Sequence, residues 1–126
     1  VEVIGRCECV AGDFFESVPA GADAYLLKSI VHDLDDARSV TILRNCRAAM
    51  SEIGTLLLVE QLMPDRIEAS PTHRDVTRRD LTMLVGPGGR ERTIGELSAL
   101  LAEAGFARGG VVGIPLGFSG IEATPV

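Results

Sequence analysis

The chain has 126 residues, 46% of them hydrophobic and 24% charged, and carries a net charge of −6 at neutral pH. That length suits a single domain over residues 1–126, and the composition is that of a folded chain rather than a disordered one. The acidic balance argues against a nucleic-acid partner: Arg78, Arg79, Arg90 and Arg92 are interleaved with Asp75, Asp80 and Glu91 and read as a mixed, solvated surface, not a basic stripe.

No apolar run reaches the roughly 18 residues that a membrane span requires, so no membrane partner is expected. Three cysteines, Cys7, Cys9 and Cys46, make an odd set without regular spacing. Such a set suits a reducing cytoplasm better than a disulfide framework. Cys7-x-Cys9 lacks a second ligand pair, and no metal site is expected there. The opening "VEVIGRCECV" has neither a signal-peptide pattern nor an initiating Met, which leads us to expect a chain that starts inside a longer one.

In chain order, "RCECVAGDFF" alternates and then meets Gly-Asp, as a strand entering a loop does. "PAGAD" is a turn cluster, and "AYLLKSIV" reads as a strand covered on both faces. From Asp35 to Met50 the spacing of Val40, Leu43, Cys46 and Met50 is helical, with acids first and arginines later, as the helix dipole favours. Gly54 is the expected residue just past that helix. "TLLLVEQL" is the most strand-like run, and Pro64 stops it. Pro71 and its polar neighbours suggest a loop, followed by a helix from Asp75 to Leu84. "GPGGRERT" is a glycine-rich loop. Thr93 can cap a helix whose stripe is Ile94, Leu97, Leu100, Leu101 and Ala104, ending at Gly105. Two weak apolar runs in the tail fit edge strands. The alternation favours an α/β sheet, mostly parallel.

In such sheets ligands bind beyond the carboxyl ends of the strands. Asp13, Lys28 with His32 and Asp33, and Glu60 fall at such ends, and Glu91 lies in the glycine loop. Each also has an ordinary reading. Asp13 can bond a turn backbone, Lys28 can extend to water, and His32-Asp33 can open the next helix. Glu91 can be a surface ion pair. Glu60 is harder to explain away, because it interrupts an apolar strand where a buried carboxylate needs a partner. There is no GxxxxGK[ST] and no GxGxxG between a strand and a helix, which weakens kinase, ATPase and NAD-dehydrogenase readings.

The blocks "GDFFESVPAGADAYLLKSIVHDLDD", "ILRNCRAAM", "GTLLLVEQLMPD" and "DLTMLVGPGGRERTIGELSALLAEAGF" carry a family likeness over about residues 5 to 108. They resemble the C-terminal catalytic part of S-adenosylmethionine-dependent O-methyltransferases of the plant caffeate and flavonoid and bacterial polyketide-tailoring type. The resemblance implies a Rossmann-like methyltransferase sheet with an antiparallel C-terminal edge, here without its first strand and glycine-rich cofactor loop. It implies S-adenosylmethionine as cofactor, a hydroxylated aromatic or polyketide-like acceptor, and a homodimer. By the same resemblance Asp13 and Phe14 lie near the adenine, and Lys28 helps hold the cofactor. His32 is the general base, Glu60 and Glu91 flank it, and Met83 rests against the acceptor. Where the family usually has His-Asp-Trp, this chain has His32-Asp33-Leu34. The alternative is a non-catalytic module of the same fold that self-associates or binds a partner, an outcome that an exposed sheet edge would invite.

Overall fold

A computed structural model describes residues 4–126; Val1 to Val3, where the opening segment was read for a signal pattern, lie outside it. Its elements are β1 (Ala24–Lys28), α1 (Asp36–Ala49), β2 (Thr55–Glu60), α2 (Pro71–Val85), α3 (Ile94–Glu103), β3 (Phe106–Ile114) and β4 (Phe118–Pro125). They form one four-stranded sheet in the order β1-β2-β4-β3.

The β1–α1–β2 unit produces the parallel pair that the strand-helix alternation predicts, with Ala24 opposite Thr55 and Lys28 opposite Val59. The other two ladders, β2 with β4 and β3 with β4, are antiparallel. The antiparallel C-terminal part matches the expectation, but one tail strand is not at the edge. β3 and β4 form a hairpin, and β4 returns between β2 and β3, where Ile121 and Ala123 are fully buried. Small residues made that run look weak, although its position is central.

The core lies where α1 and α3 cover the sheet. Val40, Leu43 and Cys46 of α1 meet Leu97, Leu100 and Leu101 of α3, with Leu56, Leu58 and Phe106 from the strands beneath. Burial pushes the Cys46 thiol up to about 11, so it packs as an apolar group. α3 starts with a reciprocal capping box: the Thr93 hydroxyl accepts from Glu96 N at 3.2 Å, and the Glu96 carboxylate accepts from Thr93 N at 2.9 Å. Because α3 supplies three buried leucines, Thr93→Ala should cost about 0.5–2 kcal/mol in urea unfolding, mainly as a lower midpoint at unchanged slope.

Four expectations need correction. β1 is not covered on both faces, because Ala24, Leu26 and Lys28 on one face are exposed. "RCECVAGDFF" forms no strand: Cys7 to Val10 are exposed, and no described strand lies alongside to pair with them. The α2 helix begins at Pro71 rather than Asp75, because Ser70 accepts from His73 N and proline at the first helical position loses no needed N–H. Gly54 does not follow the helix end directly. Met50 is the cap of α1, and Gly54 closes the next turn through a bond to Ser51 O, where a Cβ would overlap the Met50 side chain.

Candidate active site

β1 ends at Lys28, and the chain then turns sharply. Ser29 takes a left-handed backbone (φ 54°) while its N–H still bonds Val59 O at 3.0 Å. This bend carries the chain into a short 3₁₀ turn, Val31–Asp33, that holds His32 over the carboxyl end of β2. Asp35 is the residue that caps α1, accepting from Arg38 N at 2.8 Å. His32 is thereby released from the helix-opening role that its sequence context allowed.

Glu60, the last residue of β2, is 3% exposed. One of its oxygens accepts from the Ile30 and Val31 amides at 3.2 and 2.9 Å, and the other lies 4.0 Å from His32 Nδ1. Glu91, 4% exposed, approaches the same Nδ1 at 3.2 Å, and its own N–H donates to the Asp80 carboxylate at 2.9 Å. The second oxygen of each glutamate is buried without a hydrogen-bond partner among the described residues. On the other side of the ring, Asp33 stands 3.4 Å from Nε2.

These carboxylates set the charge of the site. The Glu91 hydrogen bond holds the His32 pKa above the ordinary 6.5, with Glu60 adding to the rise and burial opposing it. Burial pushes the Glu60 pKa upward, against the pull of His32 and the two backbone amides. A neutral imidazole that donates Nδ1–H to Glu91 leaves the Nε2 lone pair free to take a proton. Such a ring can act as a base, and the imidazolium it becomes is matched by nearby negative charge.

The loop that brings Glu91 is built for close approach. Gly88 N and Gly89 N both donate to Met83 O, at 2.9 and 3.2 Å, closing the end of α2. Gly89 lies directly on the His32 turn, where a Cβ would overlap the His32 carbonyl oxygen and come within 2.7 Å of Leu34 N. Met63 N donates to Arg92 O at 2.9 Å, and the Leu62–Arg92 bridge fixes the far end of the loop beside β2.

The interleaved charges predict Arg92 on the surface, and it is instead 2% exposed. Glu91 likewise leaves the surface and turns to His32. Gln61 was also missed. It is buried, lines the cleft at His32, and donates to Leu116 O at 3.1 Å.

None of the remaining candidates lines the His32 cleft. Asp13 accepts from Phe15 N at 2.8 Å, so one carboxylate oxygen does the turn-bonding foreseen for it. Phe14 is 42% exposed above a cleft of about 380 Å³ lined by Val10, Gly12, Ser17 and Pro19. Asn45 of α1 holds the Phe14 carbonyl at 2.9 Å, which ties this turn to the helix that follows His32. Lys28 reaches across β2 to place its ammonium 4.6 Å from the Phe118 ring centroid. Met83 is half-buried, and the contacts that define the His32 cleft do not include its side chain. Among the described residues no cluster of ligating side chains could hold a metal, and no helix is long and apolar enough to cross a membrane.

Residues 2–107 match the family model of the O-methyltransferase domain, and the chain belongs to that family. It is 51% identical over 125 residues to an O-demethylpuromycin-O-methyltransferase from Streptomyces alboniger, covering 97% of this chain and 32% of that protein. It is 46% identical to the phenazine O-methyltransferase PhzM of Lysobacter antibioticus, with 96% and 34% covered. The crystal structure of NcsB1, an O-methyltransferase of neocarzinostatin biosynthesis in complex with S-adenosylmethionine and 2-hydroxy-5-methyl naphthoic acid, superimposes with a TM-score of 0.85 at 36% identity. That match covers 98% of this chain and 35% of NcsB1. The chain thus spans about a third of the length of the curated relatives it matches.

Proposed function

We propose that this chain serves the transfer of a methyl group from S-adenosylmethionine to a hydroxyl of an aromatic or polyketide-like small molecule, with His32 as general base. The observation that carries the reading is the His32 imidazole held at Nδ1 by buried Glu91, with buried Glu60 beside it. The relatives' names and the ligands of NcsB1 support the reaction class.

The side chains present fit part of the cofactor. Phe14 offers an exposed aromatic face and Asp13 a carboxylate for an adenine with its amino group, and Lys28 offers a cation at the strand end for the cofactor's carboxylate. When bound, the cofactor supplies an electrophilic methyl on a sulfonium. The protein's task is then to align the acceptor and remove its proton. His32 Nε2 takes that proton from a phenol whose ordinary pKa is about 10, as the oxygen loses electron density to the methyl. Glu91 fixes the tautomer, and both glutamates stabilise the imidazolium that forms. Met83 is assigned to the acceptor side. Assembly as a homodimer in a reducing cytoplasm is part of the proposal, supported by three free cysteines and by exposed Ile67, Leu81, Leu84 and Val85 on and before α2.

The test is a chimera in which residues 2–107 replace the matching part of the Streptomyces alboniger relative. Labelled methyl transfer to a panel of phenols is the expected result. A folded chimera that binds the cofactor but methylates none of them would support the non-catalytic alternative.

The pH dependence follows from the carboxylates. The rate should rise with pH through a midpoint above 6.5, because only the neutral imidazole accepts a proton. Glu91→Gln removes the largest cause of that rise, so its limb should move to lower pH with a reduced plateau. The stability change has the opposite sense. The His32–Glu91 bond stabilises the fold fully below about pH 6.5, and that contribution is lost as pH rises through the raised folded value. Melting temperatures of wild type and Glu91→Gln across this range should therefore converge at the alkaline end.

A further inference from the structure

We propose that Arg92 is a positioning residue whose guanidinium clamps the turn that carries His32 and locks it to the loop that carries Glu91. Its hydrogen bonds account for four donor contacts. Nη1 donates to Val31 O at 2.7 Å, and Nη2 donates to Leu34 O at 2.7 Å. Nη2 and Nε both reach Asp36 Oδ1, at 2.8 and 3.1 Å. Val31 and Leu34 bracket His32-Asp33, so one planar group holds the carbonyls on both sides of the base.

The turn is held at its start as well, by Glu60 on the amides of Ile30 and Val31. Glu60 therefore fixes the N–H groups entering the turn, and Arg92 fixes the carbonyls leaving it. Gly89 presses on the backbone between them. Because Arg92 is covalently next to Glu91, the same contacts set the distance from Glu91 to the imidazole. Asp36, half-exposed in the first turn of α1, keeps its charge beside the guanidinium, and Arg90 also pairs with it at 3.0 Å. A lysine at this position has one compact ammonium and cannot span two carbonyls and a carboxylate together. Burying an arginine is costly unless its donors are met, and four of the five guanidinium N–H groups have partners here.

This inference rests on reading His32 as the base, and the readout is chosen to separate the two. The chain has two imidazoles, and a His73→Gln variant identifies the His32 signal in nitrogen-edited NMR titrations. In Arg92→Met and Arg92→Lys the His32 midpoint should fall toward the ordinary 6.5, as the Glu91 contact loosens. In the methyl-transfer chimera kcat should fall about 100-fold while the cofactor KM holds, the signature of a misplaced base. Arg92→Lys should fail to rescue either quantity. Folded variants with a lowered melting temperature and an unchanged His32 midpoint would overturn the proposal, leaving Arg92 a merely structural residue. If neither variant folds, the wild type decides. Arg92 Nε–H exchange as fast as that of exposed Arg44 overturns the clamp, and strong protection supports it. Failure of the base assignment reads differently, since His32→Ala would then keep its activity whatever the Arg92 variants do to the titration.

Discussion

His32→Ala is expected to lower methyl transfer by about 10²–10⁴-fold in the chimera, the range that a positioned general base contributes. The loss should fall on kcat, because the ring is only partly exposed and is not among the side chains assigned to the cofactor. Cofactor affinity measured by calorimetry should stay within a small factor of wild type. The fold should survive, since His32 lies in a 3₁₀ turn at the cleft rather than in the α1–α3 core. The variant leaves Glu60 and Glu91 without the cation that can offset them. Glu60 should then take up a proton more readily, and the variant's stability should improve as the pH is lowered toward its raised value. Wild-type turnover in His32→Ala would remove the base from the proposal and leave alignment alone to explain the reaction.

Gly89→Ala should be nearly as damaging to activity although it changes no polar group. A Cβ at Gly89 would collide with the His32 carbonyl and press on Leu34 N, and these are main-chain atoms that cannot rotate aside. The loop must lift, and Glu91 lifts with it. A displacement of about 1 Å at a reacting centre is enough for about a 100-fold loss. Overpacking of this kind also costs about 1–3 kcal/mol of stability. Gly88→Ala is the control. Gly88 has φ +84° and open space around it, so alanine there is strained by about 1–2 kcal/mol but does not touch the His32 turn. Activity should drop sharply in Gly89→Ala and persist in Gly88→Ala. Equal losses in both would mean that loop conformation, not contact with the turn, is what matters.

Parts of this arrangement were legible in the residues themselves. A single glutamate inside "TLLLVEQL" is conspicuous because a buried carboxylate in an apolar strand must meet something, and Glu60 does meet the His32 turn. The Thr93 cap was visible because its partner is only three residues away. Local patterns of this kind also placed α1, β2 and α3 to within a residue or two. What stayed hidden depends on distant chain. Nothing near Arg92 or Glu91 announces burial, since the partners that bury them lie about 60 residues earlier. In the sequence Gly89 is only one more glycine of a glycine-rich loop, although its lack of a side chain serves close packing. The reverse error arose at Cys7 to Val10. Their alternation satisfies the strand pattern, yet a strand also needs a neighbour's hydrogen bonds, and no described strand supplies them.

The span of these contacts bears on when the site comes into being. Val31 and Arg92 are 61 positions apart, and His32 and Glu91 are 59 apart. Closing a loop of that size costs chain entropy before any hydrogen bond repays it. The β1–α1–β2 unit and the β3–β4 hairpin close over shorter stretches and can form first. The His32 turn acquires its two-ended grip only when the 88–92 loop docks, so proton-accepting geometry is a late product of folding. A partly folded chain could thus hold much of its sheet and helix while its imidazole still titrates like that of a free peptide.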